Sequence, residues 1–160
     1  MSIYFDIFLR ILVAAALGAA IGFERERSHK SAGLRTNALV AMGAALLTIL
    51  SLSFGGPGAD PSRIISNIIV GIGFIGGGAI IREGQKVSGI TTAATLWVVA
   101  AIGIAVGMGF YREALFSVGV VYCILTFLWL IEKKMGSGLL YPSLRDTDDQ
   151  ESQMKNNHGE

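Results

Sequence analysis

One cysteine and two histidines in 160 residues leave several kinds of chemistry without material. Cys123 stands alone, so neither a disulfide framework nor a cysteine-rich metal site is available. His29 belongs to a loop and His158 to the end of the chain, with no carboxylates at a spacing that suggests a metal site. No local motif brings Ser, His and Asp to one nucleophile, and nothing calls for a cofactor. Charge is also scarce: Asp, Glu, Lys and Arg make up only 16% of the chain. The net charge of +1 does not point to nucleic acid or to any other partner.

What fills the space is apolar surface and glycine, 52% and 21 residues respectively. Residues 64–81 carry no formal charge, and neither do residues 88–110. At about 1.5 Å per residue each run is long enough to cross roughly 30 Å of hydrocarbon. Residues 3–23, 37–54 and 114–131 fit the same length rule. The expectation is an all-α polytopic bundle of five transmembrane helices. The first run begins with Asp6 instead of a basic cluster and outlasts a signal-peptide core, so it reads as a retained helix.

Lys and Arg placement sets the orientation. Residues 24–36 contain Arg25, Arg27, Lys30 and Arg35, and the turn at 82–87 contains Arg82 and Lys86. The opposite loops offer only Arg63 and Arg112. By the positive-inside rule the basic side is cytoplasmic, which puts the amino terminus outside and the carboxyl terminus inside. Residues 1–134 form the membrane domain in this reading. Residues 135–160 are polar and rich in turn formers, and are expected to be a disordered cytoplasmic tail.

A shift of 56 residues aligns Gly22 with Gly78, Gly33 with Gly89, Leu34 with Ile90, Thr36 with Thr92 and Ala38 with Ala94. Both segments are a helix, a charged loop and a second helix opening on Gly-[Leu/Ile]-x-Thr-x-Ala. The pattern suggests a parallel repeat of two hairpins, with Gly33 and Gly89 at equivalent turns. It puts Thr36 and Thr92 where a hydroxyl can satisfy N–H groups at a helix entry.

The signatures G-x-E-R at residues 22–25, A-G-L-R-T at 32–36, G-I-G-F-[LI]-G-x-G at 71–78 and T-T-A-A-T-L-W at 91–97 occur in one order across the chain. In these the chain resembles the membrane domain of the MgtC/SapB family of bacterial inner-membrane proteins, over residues 3–131. The residues that carry the resemblance include Gly71, Gly73, Phe74, Gly76, Gly78, Gly89, Thr91, Thr92, Ala93, Ala94 and Trp97. It implies a five-span protein associated with growth in low magnesium, whose relatives act on the membrane ATP synthase. Many longer members carry an ACT-like cytoplasmic domain, and this sequence is expected to lack it.

Asp6 and Arg10 are four apart on one helical face and able to pair, as an interface anchor or as a functional charge pair in the bundle interior. Glu24, Arg25, Arg35 and Thr36 gather at the cytoplasmic mouth and suggest an ordered polar network. Gly71, Gly73 and Gly76 spell G-x-G-x-x-G, but inside an apolar span with no preceding soluble strand, so a dinucleotide loop is excluded. Three G-x-x-x-G pairs, Gly18 with Gly22, Gly73 with Gly77 and Gly103 with Gly107, predict close helix packing. A broken third helix exposing backbone carbonyls is the alternative for GIGFIGGG.

A soluble enzyme is excluded, and two classes of function remain. One is a regulator that couples magnesium status to another membrane complex, as a homo-oligomer or with a membrane partner. The other is a small transporter of Mg²⁺, another cation or protons. A magnesium path calls for several oxygen ligands, usually with more than one carboxylate. Asp6 is the one carboxylate clearly inside a span, with neutral oxygens at Ser66, Asn67, Thr92 and Thr95. That shortage favours the regulator.

Overall fold

A computed structural model describes residues 3–54, 60–83, 86–128 and 131. Five α-helices follow one another: α1 Ile3–Arg27, α2 Leu34–Ser53, α3 Ser62–Gly78, α4 Ile90–Gly107 and α5 Tyr111–Cys123. The chain forms two compact units, Met1–Tyr122 and Cys123–Glu160. Within the second, the described part is Cys123, a π-helical turn, Ile124–Leu128, and residue 131. The expected tail, 135–160, lies outside the described residues.

Three helices, Tyr4–Arg27, Leu34–Ser53 and Ile90–Gly107, are long and apolar enough to cross a bilayer. Helix α3 is apolar but shorter, at 17 residues. The core is centred on α4, which packs against α1, α2 and α3. Its Leu96, Val99 and Val106 are fully enclosed, as is Ile21 of α1. A further cluster joins Ala44, Ile72, Leu96, Ala100 and Ile104 across α2, α3 and α4.

Local chemistry fixes the helix ends. Arg25 and Arg27 occupy the last turn of α1, where the helix dipole favours cations. The turn is closed by two crossed bonds, Lys30 N–H to the Arg25 carbonyl and His29 N–H to the Glu26 carbonyl, each 3.0 Å. This is the Schellman arrangement, with His29 at the left-handed position that glycine usually fills (φ 53°). His29→Gly is therefore expected to stabilise the protein by about 1 kcal/mol, seen as a higher melting midpoint in mild detergent. An unchanged or lower midpoint would show that the histidine contributes contacts that offset its strain.

Helix α3 starts after Asp60, whose Oδ1 accepts the Ser62 N–H at 2.9 Å. The Ser62 side chain first and this backbone bond second hold the Asp60 carboxyl below its ordinary value. Between α3 and α4 the structure departs from a purely helical expectation. Residues Ile81–Glu83 and Lys86–Ser88 form an antiparallel hairpin in the register Ile81 with Ser88, Arg82 with Val87 and Glu83 with Lys86. Gly89 then turns into α4 at φ 90°, and a Cβ there would collide with the Ala79 carbonyl oxygen. Gly33, its proposed counterpart, has φ −76° and extended geometry, so the two turns of the suggested repeat are conformationally different.

Candidate functional site

Helix α1 carries polar groups at both ends, and each end meets α4. Near its start, Asp6 Oδ2 accepts from Arg10 Nε at 2.8 Å and forms an ion pair with Nη2, also at 2.8 Å. The remaining guanidinium nitrogen, Nη1, donates to the Gly107 carbonyl at 2.8 Å. Arg10 thus satisfies one of the open carbonyls at the end of α4 and places its positive charge at the negative end of that helix dipole. Asp6 and Arg10 are both partly enclosed.

At the other end, Glu24 and Arg25 are buried, 7% and 5% exposed. Arg25 Nη2 donates to Thr92 Oγ1 at 3.3 Å, and Thr92 Oγ1 lies 3.2 Å from Ser31 Oγ. Glu24 Oε1 accepts from Ser28 Oγ at 2.8 Å. The loop that the sequence marks as charged therefore folds back onto the first turn of α4. Asn37, fully buried in α2, donates through Nδ2 to the carbonyls of Ala32 and Gly33. Glu24 Oε2, Arg25 Nε and Asn37 Oδ1 are buried without a partner among the described residues.

The predicted mouth network is thus only half assembled from the predicted residues. Arg35 and Thr36 are exposed and make no bond among the described residues, because they fall on the outer face of the first turn of α2. Their places are taken by Ser28, Ser31 and Thr92. Thr92 does not cap α4; its hydroxyl is engaged by Arg25 and Ser31 instead. Asn37 escaped the sequence reading, although a lone amide at the start of an apolar run signals a group that must find partners inside a bundle.

The three glycine pairs have different fates. A Cβ on Gly18 would collide with the Asn37 carbonyl, and one on Gly22 would sit 2.6 Å from Leu34 Cα. On α4, a Cβ on Gly103 would collide with the Ala41 carbonyl, and one on Gly107 would come within 2.8 Å of Ala45 O and Thr48 Cβ. These two pairs are the seams along which α1 and α4 lie against α2. Gly73 and Gly77 do not pack inside the protomer: a Cβ on either meets nothing within 4 Å. Within the family motif, Gly76 packs on Ala93 of α4, while Gly71, Phe74, Gly78, Thr91, Ala94 and Trp97 are exposed. Helix α3 runs unbroken through Gly71–Gly78, and the carbonyls of Ile75, Gly76 and Gly77 at its end accept from the N–H groups of Ala79 and Ile80.

A cleft of about 550 Å³ opens between α2 and α3, lined by apolar side chains with Gly43, Gly71 and the amide of Asn67. Among the described residues no group of three or more His, Cys, Asp or Glu side chains converges as a metal site.

The MgtC family model matches residues 11–134. Protein MgtC of Salmonella typhimurium strain LT2 is 48% identical over 119 residues, covering 74% of this chain and 51% of that protein. A putative magnesium transporter, YhiD, of Escherichia coli K12 is 43% identical over 119 residues, covering 70% of this chain and 55% of that one. An uncharacterized protein of Synechocystis is 49% identical over 106 residues, 66% of this chain and 45% of its own length. The chain spans about half the length of the curated relatives it matches, and no solved structure matches it. With the family signatures falling on the α1–α2 loop, on α3 and on the entry to α4 of an apolar helix bundle, the chain is a membrane protein that belongs to the MgtC family.

Proposed function

We propose that this chain serves magnesium homeostasis in the bacterial inner membrane by regulating another membrane complex, with its amino terminus outside and its carboxyl terminus inside. The observation that carries this reading is the engagement of Asp6. Its carboxylate receives two guanidinium nitrogens, and the same guanidinium holds the end of α4. A carboxylate neutralised in this way is a poor ligand for a cation that sheds water reluctantly and asks for several oxygens. The family resemblance supplies the class of partner, a membrane ATP synthase.

Contact with such a partner falls to Arg27, Lys30 and Arg35, which are exposed on the basic side, while Glu24 and Arg25 are enclosed. Reversing the charge of Arg27 and Arg35 together is expected to reduce growth in low magnesium about as much as loss of the gene. The melting midpoint should fall only slightly, by about 1 kcal/mol or less of stability, because Arg27 lies in the last turn of α1 and Arg35 on an exposed surface. Cellular magnesium uptake should not fall. Purified protein in liposomes is expected to carry no Mg²⁺ down a gradient.

A transporter of Mg²⁺ is the second reading, supported by the printed name of the Escherichia coli relative and by the partnerless Oε2 of buried Glu24. Robust liposome flux that Glu24→Gln abolishes would replace the regulator with the transporter.

A further inference from the structure

Lipid is as apolar as leucine, so exposed apolar side chains on this bundle carry no information about partners. An exposed amide does. Asn67 lies five residues into α3, roughly 7 to 8 Å along the helix from Ser62. It is exposed in the cleft between α2 and α3, and its side chain has no hydrogen-bond partner among the described residues. Asparagine has no long stem with which to reach the interface, as lysine and arginine do. An amide left in hydrocarbon without a partner costs several kcal/mol.

We propose that the cleft between α2 and α3 is the contact surface for a second copy of this chain, with Asn67 of each protomer hydrogen-bonded to Asn67 of the other. Two features select a second copy over other occupants. An amide is both donor and acceptor, so it is complementary to itself and can form a reciprocal pair. Two copies inserted with the same topology are related by a two-fold axis along the membrane normal, which sets identical residues at identical depth. Asn67 of one copy then meets a matching amide at its own level.

The glycines provide the approach. Gly71 is one turn beyond Asn67, and Gly43 faces the same cleft from α2; a Cβ on either would meet nothing within 4 Å. Inside the protomer, by contrast, Gly18 and Gly103 are already filled against neighbouring backbone. Space beside Gly43 and Gly71 is thus available to an incoming helix at the depth where the unpaired amide waits. The proposal concerns assembly and is independent of whether the protein regulates or transports.

Cysteine cross-linking in native membranes tests it, using the full chain with Cys123→Ser. Asn67→Cys and Gly71→Cys should each give a disulfide-linked dimer of this chain on mild oxidation, because a disulfide needs Cα atoms within about 7 Å. Phe5→Cys and Phe116→Cys, on other exposed faces, should remain monomeric. Asn67→Leu should raise the dimer dissociation constant about eightfold to three-hundredfold, the range for the two interhelical hydrogen bonds of a reciprocal pair. Gly43→Leu occupies the cleft from a position where the first added carbon meets nothing within 4 Å, and should abolish the dimer while the monomer still melts at or above its original midpoint. Cross-links to a different protein alone, no cross-link at residues 67 and 71, or a Gly43→Leu dimer as tight as the original would each overturn the proposal.

Discussion

Gly103→Leu is expected to destabilise the protein by about 3 kcal/mol or more, while Gly73→Leu leaves the protomer as stable as before. Both positions are glycines of a G-x-x-x-G pair on an apolar helix, so their sequence contexts give no reason for a difference. At Gly103 the first added carbon already collides with the Ala41 carbonyl oxygen, which belongs to the backbone of α2 and cannot rotate away. The whole of α4 must move, and α4 contributes more buried residues than any other helix. Overpacking a tight core costs about 1 to 3 kcal/mol, and rigid backbone on the receiving side puts this case at the upper end. At Gly73 the new side chain enters open space. Melting midpoints of the two purified variants in one detergent decide the matter. Equal losses would mean that α4 and α2 are not in the contact described. Disruption by Gly103→Leu or Gly107→Leu is accordingly expected to be a failure of packing within the protomer.

The second large effect is expected at Arg10. Arg10→Leu removes the hydrogen bond and ion pair to Asp6 and the bond to Gly107, and leaves both a carboxylate and a helix-end carbonyl without these partners. Hydrogen bonds to charged groups contribute roughly 1.5 to 3 kcal/mol each, and stranding a partner adds to that. A loss of about 2 to 4 kcal/mol is expected. Asp6→Asn should cost about 1 kcal/mol, because Arg10 keeps its bond to Gly107. The exchange Asp6→Arg with Arg10→Asp restores the ion pair but cannot restore the bond to α4, so it should fall between the two. Full recovery of stability by the exchange would show that the pair alone matters and that the Gly107 contact contributes little.

The long elements were legible because length and apolarity are integrated over many residues; α1, α2 and α4 follow the predicted spans closely. The short ones were not. Ile81–Glu83 and Lys86–Ser88 are three residues each, too few for a periodicity to register, and in sequence they look like the charged turn between two spans. The candidate site was legible in its chemistry and not in its geometry. Charge in a loop next to a span reads as solvated, and only the Schellman turn at His29 and the approach of α4 show that Glu24 and Arg25 face inward. Glycine spacing tells that a backbone can be approached. Which helix does the approaching depends on rotation about the helix axis, and Gly73 and Gly103 illustrate opposite answers to one pattern.

The bond from Arg10 to Gly107 also bears on the order in which the protein is made. The two residues are separated by 97 positions, so when α1 first enters the bilayer the carbonyl that Arg10 will hold has not been synthesised. Asp6, only four positions away, is present throughout and offers a local partner from the start. The first helix can therefore be inserted as an electrically neutral unit. Its arginine is then shared with α4 once that helix arrives, making the ion pair a travelling companion for α1 and the Gly107 bond a latch that marks completion of the bundle.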